Sequence, residues 1–265
     1  MSVAAVMMVR DELDVVGHTI GHLLTQVDHV YVADNRSTDG TSDVVRAFGE
    51  DRVSVTRDDV VAYNQAEKTT RLAMWALRDG HEWVVPCDAD EIWLGPDGMT
   101  VGEFLSRQGR DVQLVTALLY DHIPTADDPA DQRVPQLRIG WRRRDPGVLP
   151  KVAARLHRKL TIHPGNHGAD YGRHKALAVD GLTLRHFTWR TREQYVRKIR
   201  NGLEAYADVA RKDIGVHWRM HDGASDEQIA DHFDTWFWSP DPSSDAALIY
   251  DPLGRLDTGE LRVAP

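Results

Sequence analysis

Two aspartates one residue apart stand in the middle of the run Trp83-Val84-Val85-Pro86-Cys87-Asp88-Ala89-Asp90-Glu91-Ile92-Trp93. A short apolar stretch leads into them, so both carboxylates turn toward one place where a buried strand gives way to a loop. Such a pair suits a hard divalent cation, Mg²⁺ or Mn²⁺, which takes one or two carboxylate oxygens and fills its other positions with water and substrate phosphates. Asp-x-Asp alone is also ordinary turn chemistry, so its meaning depends on what the fold brings to the same edge. Glu91 stands next to the pair, as a support for Asp90 or as an ion-pair partner. Cys87, the sole cysteine, reads as a buried structural thiol rather than a nucleophile.

The elements that must position these carboxylates alternate as βα units. Val3 to Val9 is a continuous apolar run, as a strand buried on both faces requires. Val16, Ile20, Leu23, Leu24 and Val27 then follow a helical period. His29 to Ala33 predicts a second strand, with Thr41 as N-cap of a short helix. Val53 to Val55 predicts a third strand, residues 62–78 a longer helix, and Trp83 to Pro86 a fourth strand. Every loop after these strands is polar or acidic, and in an open parallel sheet ligands bind outside the carboxyl ends of the strands.

The second half is less regular. Val112 to Leu119, Val152 to Leu156 and Leu182 to Leu184 read as strands, with loop-rich sequence over 121–150 and a basic run from Arg142 to Arg144. A helix is expected from about Arg192, with Tyr195, Ile199, Leu203 and Tyr206 on its apolar face. Residues 1–110 form one α/β half, 111–225 a second half of the same domain, and 226–265 a partly ordered tail. The chain has 265 residues, 42% hydrophobic, with a net charge of −9. That excludes global disorder and argues against a polyanion as main partner. One cysteine, no apolar run long enough to span a membrane and no signal-like start point to a soluble, cytoplasmic protein.

Three loops meet on one sheet edge: Arg10-Asp11-Glu12, Asp34-Asn35-Arg36-Ser37-Thr38-Asp39-Gly40-Thr41 and Asp88-Ala89-Asp90-Glu91. In this order they resemble the family 2 glycosyltransferases of GT-A fold. Asp34 through Thr41 is similar to that family's D-D/N-x-S-x-D-G-T stretch and Asp88-Ala89-Asp90 to its metal-binding DxD motif. Asn64, Lys68 and Arg71 match its N-x-G-x-x-x-A-R/N helix start, with Ala66 in place of the glycine and Thr70 in place of the alanine. Later, Gly165-Asn166-His167, His186-Phe187-Thr188-Trp189-Arg190 and Gln194, Lys198, Asn201 and Gly202 resemble a narrower set of these enzymes. The resemblance implies a Rossmann-like, mostly parallel sheet with flanking helices and a C-terminal helical and loop region for the acceptor. It implies an inverting sugar transfer from a nucleoside diphosphate donor with Mn²⁺ or Mg²⁺. His186 matches the histidine that completes the metal shell beside Asp90.

The residue types fit those roles. Asp34 can accept the imide N–H of uracil or thymine, Asp88 can hold ribose hydroxyls, and Glu12, closing the first loop, is a further substrate-binding residue. Lys68, Arg71, Arg190 and Lys198 offer charge to a diphosphate, with Asn166 beside the acceptor. His167, Asp170 and Asp121 are the candidate bases, and His167 leads because its ordinary pKa lies near neutrality. Plainer readings stand beside these: a turn and cap for Asp34 to Thr41, a solvated helix face for Arg190 and Lys198, a core histidine for His186. His163 and His167 are split by Pro164-Gly165 and do not share a helix face, against a zinc site. Trp236 and Trp238 can stack on a sugar or simply pack. Two other functions compete: a sugar-phosphate nucleotidyltransferase, whose Gly-rich first loop is missing here, and a non-catalytic carbohydrate- or Ca²⁺-binding module. The acceptor stays open among glycan, protein, natural product and modified nucleobase.

Overall fold

A computed structural model describes residues 1–254 except 63, 208 and 210–214. Strands β1 (Val3–Val9), β2 (His29–Asp34), β3 (Val53–Arg57) and β4 (Trp83–Pro86) alternate with helices α1 (Leu13–Gln26), α2 (Thr41–Arg46) and α3 (Gln65–Arg78). The long helix expected over 62–78 starts later, at Gln65. Thr41 is the first helical residue rather than the cap. Gly40, in the left-handed region at φ 97°, holds the cap position, and the Thr41 hydroxyl accepts the Glu12 N–H at 3.0 Å instead.

After β4 come β5 (Glu91–Leu94), α4 (Val101–Ser106), β6 (Val112–Asp121), α5 (Pro135–Arg138), β7 (Trp141–Arg143) and β8 (Lys151–Arg155). Then follow β9 (Thr161–Ile162), β10 (Ala169–Asp170), β11 (Leu177–His186), α6 (Arg192–Tyr206), α7 (Val216–Arg219), α8 (Asp226–Trp236) and β12 (Leu248–Tyr250). The stretch read as a partly ordered tail holds α8 and β12; its last residues, 255–265, lie outside those described. Ser225 and Gln228 form a capping box at the start of α8, and Ile229 and Phe233 pack on Tyr195 and Ile199 of α6.

The main sheet has eight strands in the order β3-β2-β1-β4-β8-β6-β11-β5. Strands β3, β2, β1 and β4 run parallel, as do β6 and β11, while β8 and β5 are antiparallel to their neighbours. Helix α1 covers one face with Val16, Ile20 and Leu23; α3 covers the other with Leu72, Ala73 and Ala76. The expectation of an α/β fold with a mostly parallel sheet and flanking helices is met. From β1 the chain runs outward one way through β2 and β3, and β4 returns on its other side. That reversal is the switch point where a crevice must open beyond the strand ends, and the Asp88–Asp90 loop borders it. Among the described residues, no helix is long and apolar enough to cross a membrane.

The segment around the aspartates serves two distant strands: β4 in the sheet's middle and β5 at its far edge. The Cys87–Asp90 loop therefore crosses the sheet's end, and register then aligns three polar residues. His186 pairs with Asp121 of β6 on one side and with Glu91 of β5 on the other.

Candidate active site

A cleft of about 410 Å³ opens at the switch point. Its floor is made by the loops after β1 and β4, one wall by the start of α3, the other by α6 and α7. Three non-glycine residues in its loops hold positive φ: Asp11 at 54°, Arg36 at 62° and Asn166 at 59°. Asp and Asn accept this region at modest cost, and local hydrogen bonds fix the first. Asp11 Oδ1 accepts the Thr38 N–H at 2.7 Å and Oδ2 accepts from Asn201 at 2.9 Å, tying the first loop to the second and to α6.

Asp90 is not on an exposed loop; it is 2% exposed. Its Oδ2 lies 2.5 Å from Lys198 Nζ and 3.9 Å from the Arg190 guanidinium, and its Oδ1 lies 3.7 Å from His186 Nε2. Burial alone would raise its pKa, but the charges of Lys198, His186 and Arg190 outweigh that and hold it well below the ordinary carboxylate range. Lys198 also meets Glu12 at 3.0 Å. Burial opposes its charge, yet Asp90 and Glu12 keep its pKa above the ordinary value. Asp88 has a lysine of its own: Lys151 Nζ sits 2.7 Å from Asp88 and 2.8 Å from the buried Glu91. Gln65 and Asn166 donate to Asp88 Oδ1 at 3.3 and 3.2 Å.

His186 ends β11 with Nδ1 2.7 Å from Asp121 Oδ1. A carboxylate there holds a proton on Nδ1 and points Nε2 toward Asp90, the arrangement of a metal-ligating histidine and its supporting acid. Burial opposes the ring's charge, but Asp121 and Asp90 raise its pKa above the ordinary value, so a bound ion must displace the Nε2 proton. The residues fit a divalent ion. Among the described residues no three His, Cys, Asp or Glu groups converge on one ion position, but Asp90 and His186 are the protein share that Mg²⁺ or Mn²⁺ needs when phosphates complete its shell.

Glu12, Lys68, Asp88, Asp90, His167, His186 and Lys198 line the cleft together. Lys68 is committed, however, with Nζ 2.6 Å from Asp58. His167 Nδ1 lies 3.0 Å from the Pro150 carbonyl, so the proton must sit on Nδ1 and Nε2 is a free base. Burial lowers its pKa, which keeps it neutral. Gly165, at φ 70°, leaves room for that ring; a Cβ would stand 2.5 Å from it. Asn166 is buried behind the cleft against Asp88.

Other expected residues lie outside the cleft lining. Arg190 does not face a diphosphate: its side chain is fully buried, clamping Glu12 at 2.5 Å and Asp14 at 2.7 Å and donating to the Phe187 carbonyl. Arg71 is exposed on α3, outside the cleft lining. Asp170 is exposed and paired with His163 at 2.9 Å, and Asp121 serves His186. Asp34 lines an adjoining hollow with Arg36 and Arg57, which Arg10 shares with the cleft. Sequence reading missed Lys151, Asn35, Gln65 and Trp218. Lys151 had a usable signal: a lysine opening the apolar strand Val152-Ala153-Ala154 is buried only if acids receive it. Cys87 is a buried thiol whose pKa burial pushes well up, in keeping with a structural role.

No family model and no curated protein matches this chain. Among solved structures, glucosyl-3-phosphoglycerate synthase from Mycobacterium tuberculosis, in complex with Mg²⁺ and uridine diphosphate, is 21% identical at TM-score 0.33, over 44% of this chain and 43% of that one. Mannosyl-3-phosphoglycerate synthase from Rubrobacter xylanophilus is 20% identical at TM-score 0.34, over 50% and 44%. A mycobacterial protein is 17% identical at TM-score 0.40, over 78% and 74%. The chain spans less than half the length of either synthase. At these values the likeness decides nothing about donor, acceptor or ion, and the cleft's own residues must supply the chemistry.

Proposed function

We propose that this chain is a divalent-ion-dependent glycosyltransferase of the GT-A kind, moving a sugar from a uridine or thymidine diphosphate donor to an acceptor. The observation that carries this reading is the Asp90–His186 pair, backed by Asp121 and flanked by Lys198, at the switch point of the sheet. Asp90 and His186 would hold Mn²⁺ or Mg²⁺, which when bound neutralises charge on the donor diphosphate. Lys198 brings a fixed positive charge to the same leaving group, stabilisation that strengthens as the bond to the sugar breaks. Asp88, aligned by Lys151, Gln65 and Asn166, accepts from the ribose hydroxyls. Asp34 Oδ1 accepts the Ser37 N–H, leaving Oδ2 for the imide of the base beyond Arg10. His167 Nε2 takes the acceptor proton as the new bond forms on the opposite face of the sugar, so the configuration inverts. With its pKa lowered, His167 is in the basic form at neutral pH and loses that role as pH falls.

The competing readings fare less well on this geometry. A Ca²⁺ module needs six to eight oxygens, whereas this pair includes a ring nitrogen beside an ammonium. A nucleotidyltransferase needs a phosphate-binding first loop, and here that loop presents buried Asp11 and Glu12. Incubation with UDP- or dTDP-sugars and Mn²⁺ should release the nucleoside diphosphate, and EDTA should stop it. Pyrophosphate formed from UTP and a sugar 1-phosphate, with no release from nucleotide sugars, would replace this reading with the nucleotidyltransferase one.

A further inference from the structure

Most of the cations lining the cleft have a carboxylate partner, although the buried Nε and Nη1 of Arg10 make no hydrogen bond. Arg10 pairs with Glu204, Lys68 with Asp58, Lys151 with Asp88 and Glu91, and Lys198 with Glu12 and Asp90. Among the described residues, Arg197 is the cleft-lining lysine or arginine with no carboxylate or hydrogen-bond partner. Of the acids lining its outer side, Asp226 binds Arg200 at 2.6 Å and Glu227 approaches Arg192 at 3.5 Å, while Glu193, one helical turn before Arg197, forms no ion pair with it. Arg197 stands at the rim, lining both the cleft and the shallow hollow between α6 and α8. An aromatic wall lines the same cleft. Trp218 lies so close on α6 that a Cβ on Gly202 would stand 2.5 Å from its ring, and Trp189 is 6.1 Å away, edge-on. The half-buried Trp218 lines the cleft beside His217.

We propose that Arg197 and Trp218 form the acceptor subsite, and that the acceptor is a ring-bearing molecule with an anionic group, a carboxylate or a phosphate. This rests on the glycosyltransferase reading and adds the acceptor class. The guanidinium fork matches either anion bidentately, and an indole face suits the apolar face of a sugar or another flat ring. The donor side of the cleft is built by the loops after β1 to β4. Arg197 and Trp218 come from the opposite wall, past Lys198, where the second substrate must enter.

The test is calorimetry on the protein loaded with UDP and Mn²⁺, with glucose, glucuronate, glucose 6-phosphate and inorganic phosphate as probes. One or both charged sugars should bind about 10- to 100-fold more tightly than glucose, the worth of a charge-assisted contact, and the tighter of the two identifies the anion. Arg197→Ala should erase that preference, and Arg200→Ala, a charge loss on the outer face of the same helix, should keep it. Trp218→Leu should shrink the advantage of glucose 6-phosphate over inorganic phosphate. Charged sugars binding no more tightly than glucose, or a preference that survives Arg197→Ala, would overturn the assignment. Binding of UDP with Mn²⁺ is measured first; its absence removes the donor reading and this one with it, whereas its presence with no anion preference removes this one alone.

Discussion

His186 sits between two carboxylates of unequal exposure, with Nδ1 2.7 Å from Asp121 and Nε2 3.7 Å from the buried Asp90. The strand register that pairs His186 with Asp121 fixes the ring before any ligand arrives. Asp121→Asn should therefore weaken Mn²⁺ binding by about 10- to 100-fold, the usual cost of losing the acid behind a ligating histidine. Mn²⁺ titration in the presence of UDP reads this directly. Unchanged affinity would make Asp121 a bystander.

Lys198 competes for Asp90 and also serves the leaving group, so its loss should separate two measurements. Lys198→Ala should lower kcat for donor cleavage by about 100-fold or more, while Mn²⁺ binding without nucleotide tightens because the ammonium at 2.5 Å is gone. Equal Mn²⁺ affinity and equal turnover in variant and wild type would leave the helix as scaffold.

Arg190 is a stability residue by this geometry. Removing a buried guanidinium leaves Glu12 with Lys198 alone and Asp14 without its cation, and Arg190→Ala should cost about 3 kcal/mol in urea unfolding, the lower end for a broken buried pair. Arg190→Lys should restore little, since one ammonium cannot span both acids. A raised donor KM at wild-type stability would return Arg190 to the diphosphate.

His122 makes stability depend on pH. Its ring stacks on Phe187 at 4.3 Å and its Nδ1 bonds the Ile139 carbonyl at 2.8 Å, and burial holds its pKa down to about 3. The unfolded chain takes up this proton near the ordinary value of about 6.5, so the folded state binds fewer protons between the two. Stability should fall with decreasing pH across that window and level off below it. His122→Gln should flatten this part of the urea midpoint against pH; an unaltered slope would place the acid sensitivity in other groups.

Much of this was legible in the residues. The first four strands and α1 follow from apolar runs and helical spacing, and Asp88, Asp90, His186, Lys198 and His167 do share one cleft. What was not legible depends on distance along the chain. Arg190 and Lys198 look alike as cations flanking one helix start, and only packing against α1 buries the first and leaves the second at the site. Lys151 and Glu91 find each other because β5 leaves the middle of the sheet for its edge, a crossing that no local pattern encodes. Arg71 was placed by motif spacing and Asp170 as one of three candidate bases, but the outer face of α3 and β10 turn them to solvent.

The account stands most directly on Asp90. Calorimetry of UDP with Mn²⁺, on wild type and on Asp90→Asn of confirmed Tm, tests it. Wild type should bind UDP only weakly without Mn²⁺ and take up one ion with it. The variant, which keeps the side chain's shape and loses its charge, should show no ion-dependent gain. Wild-type UDP and Mn²⁺ affinity in Asp90→Asn would contradict the account.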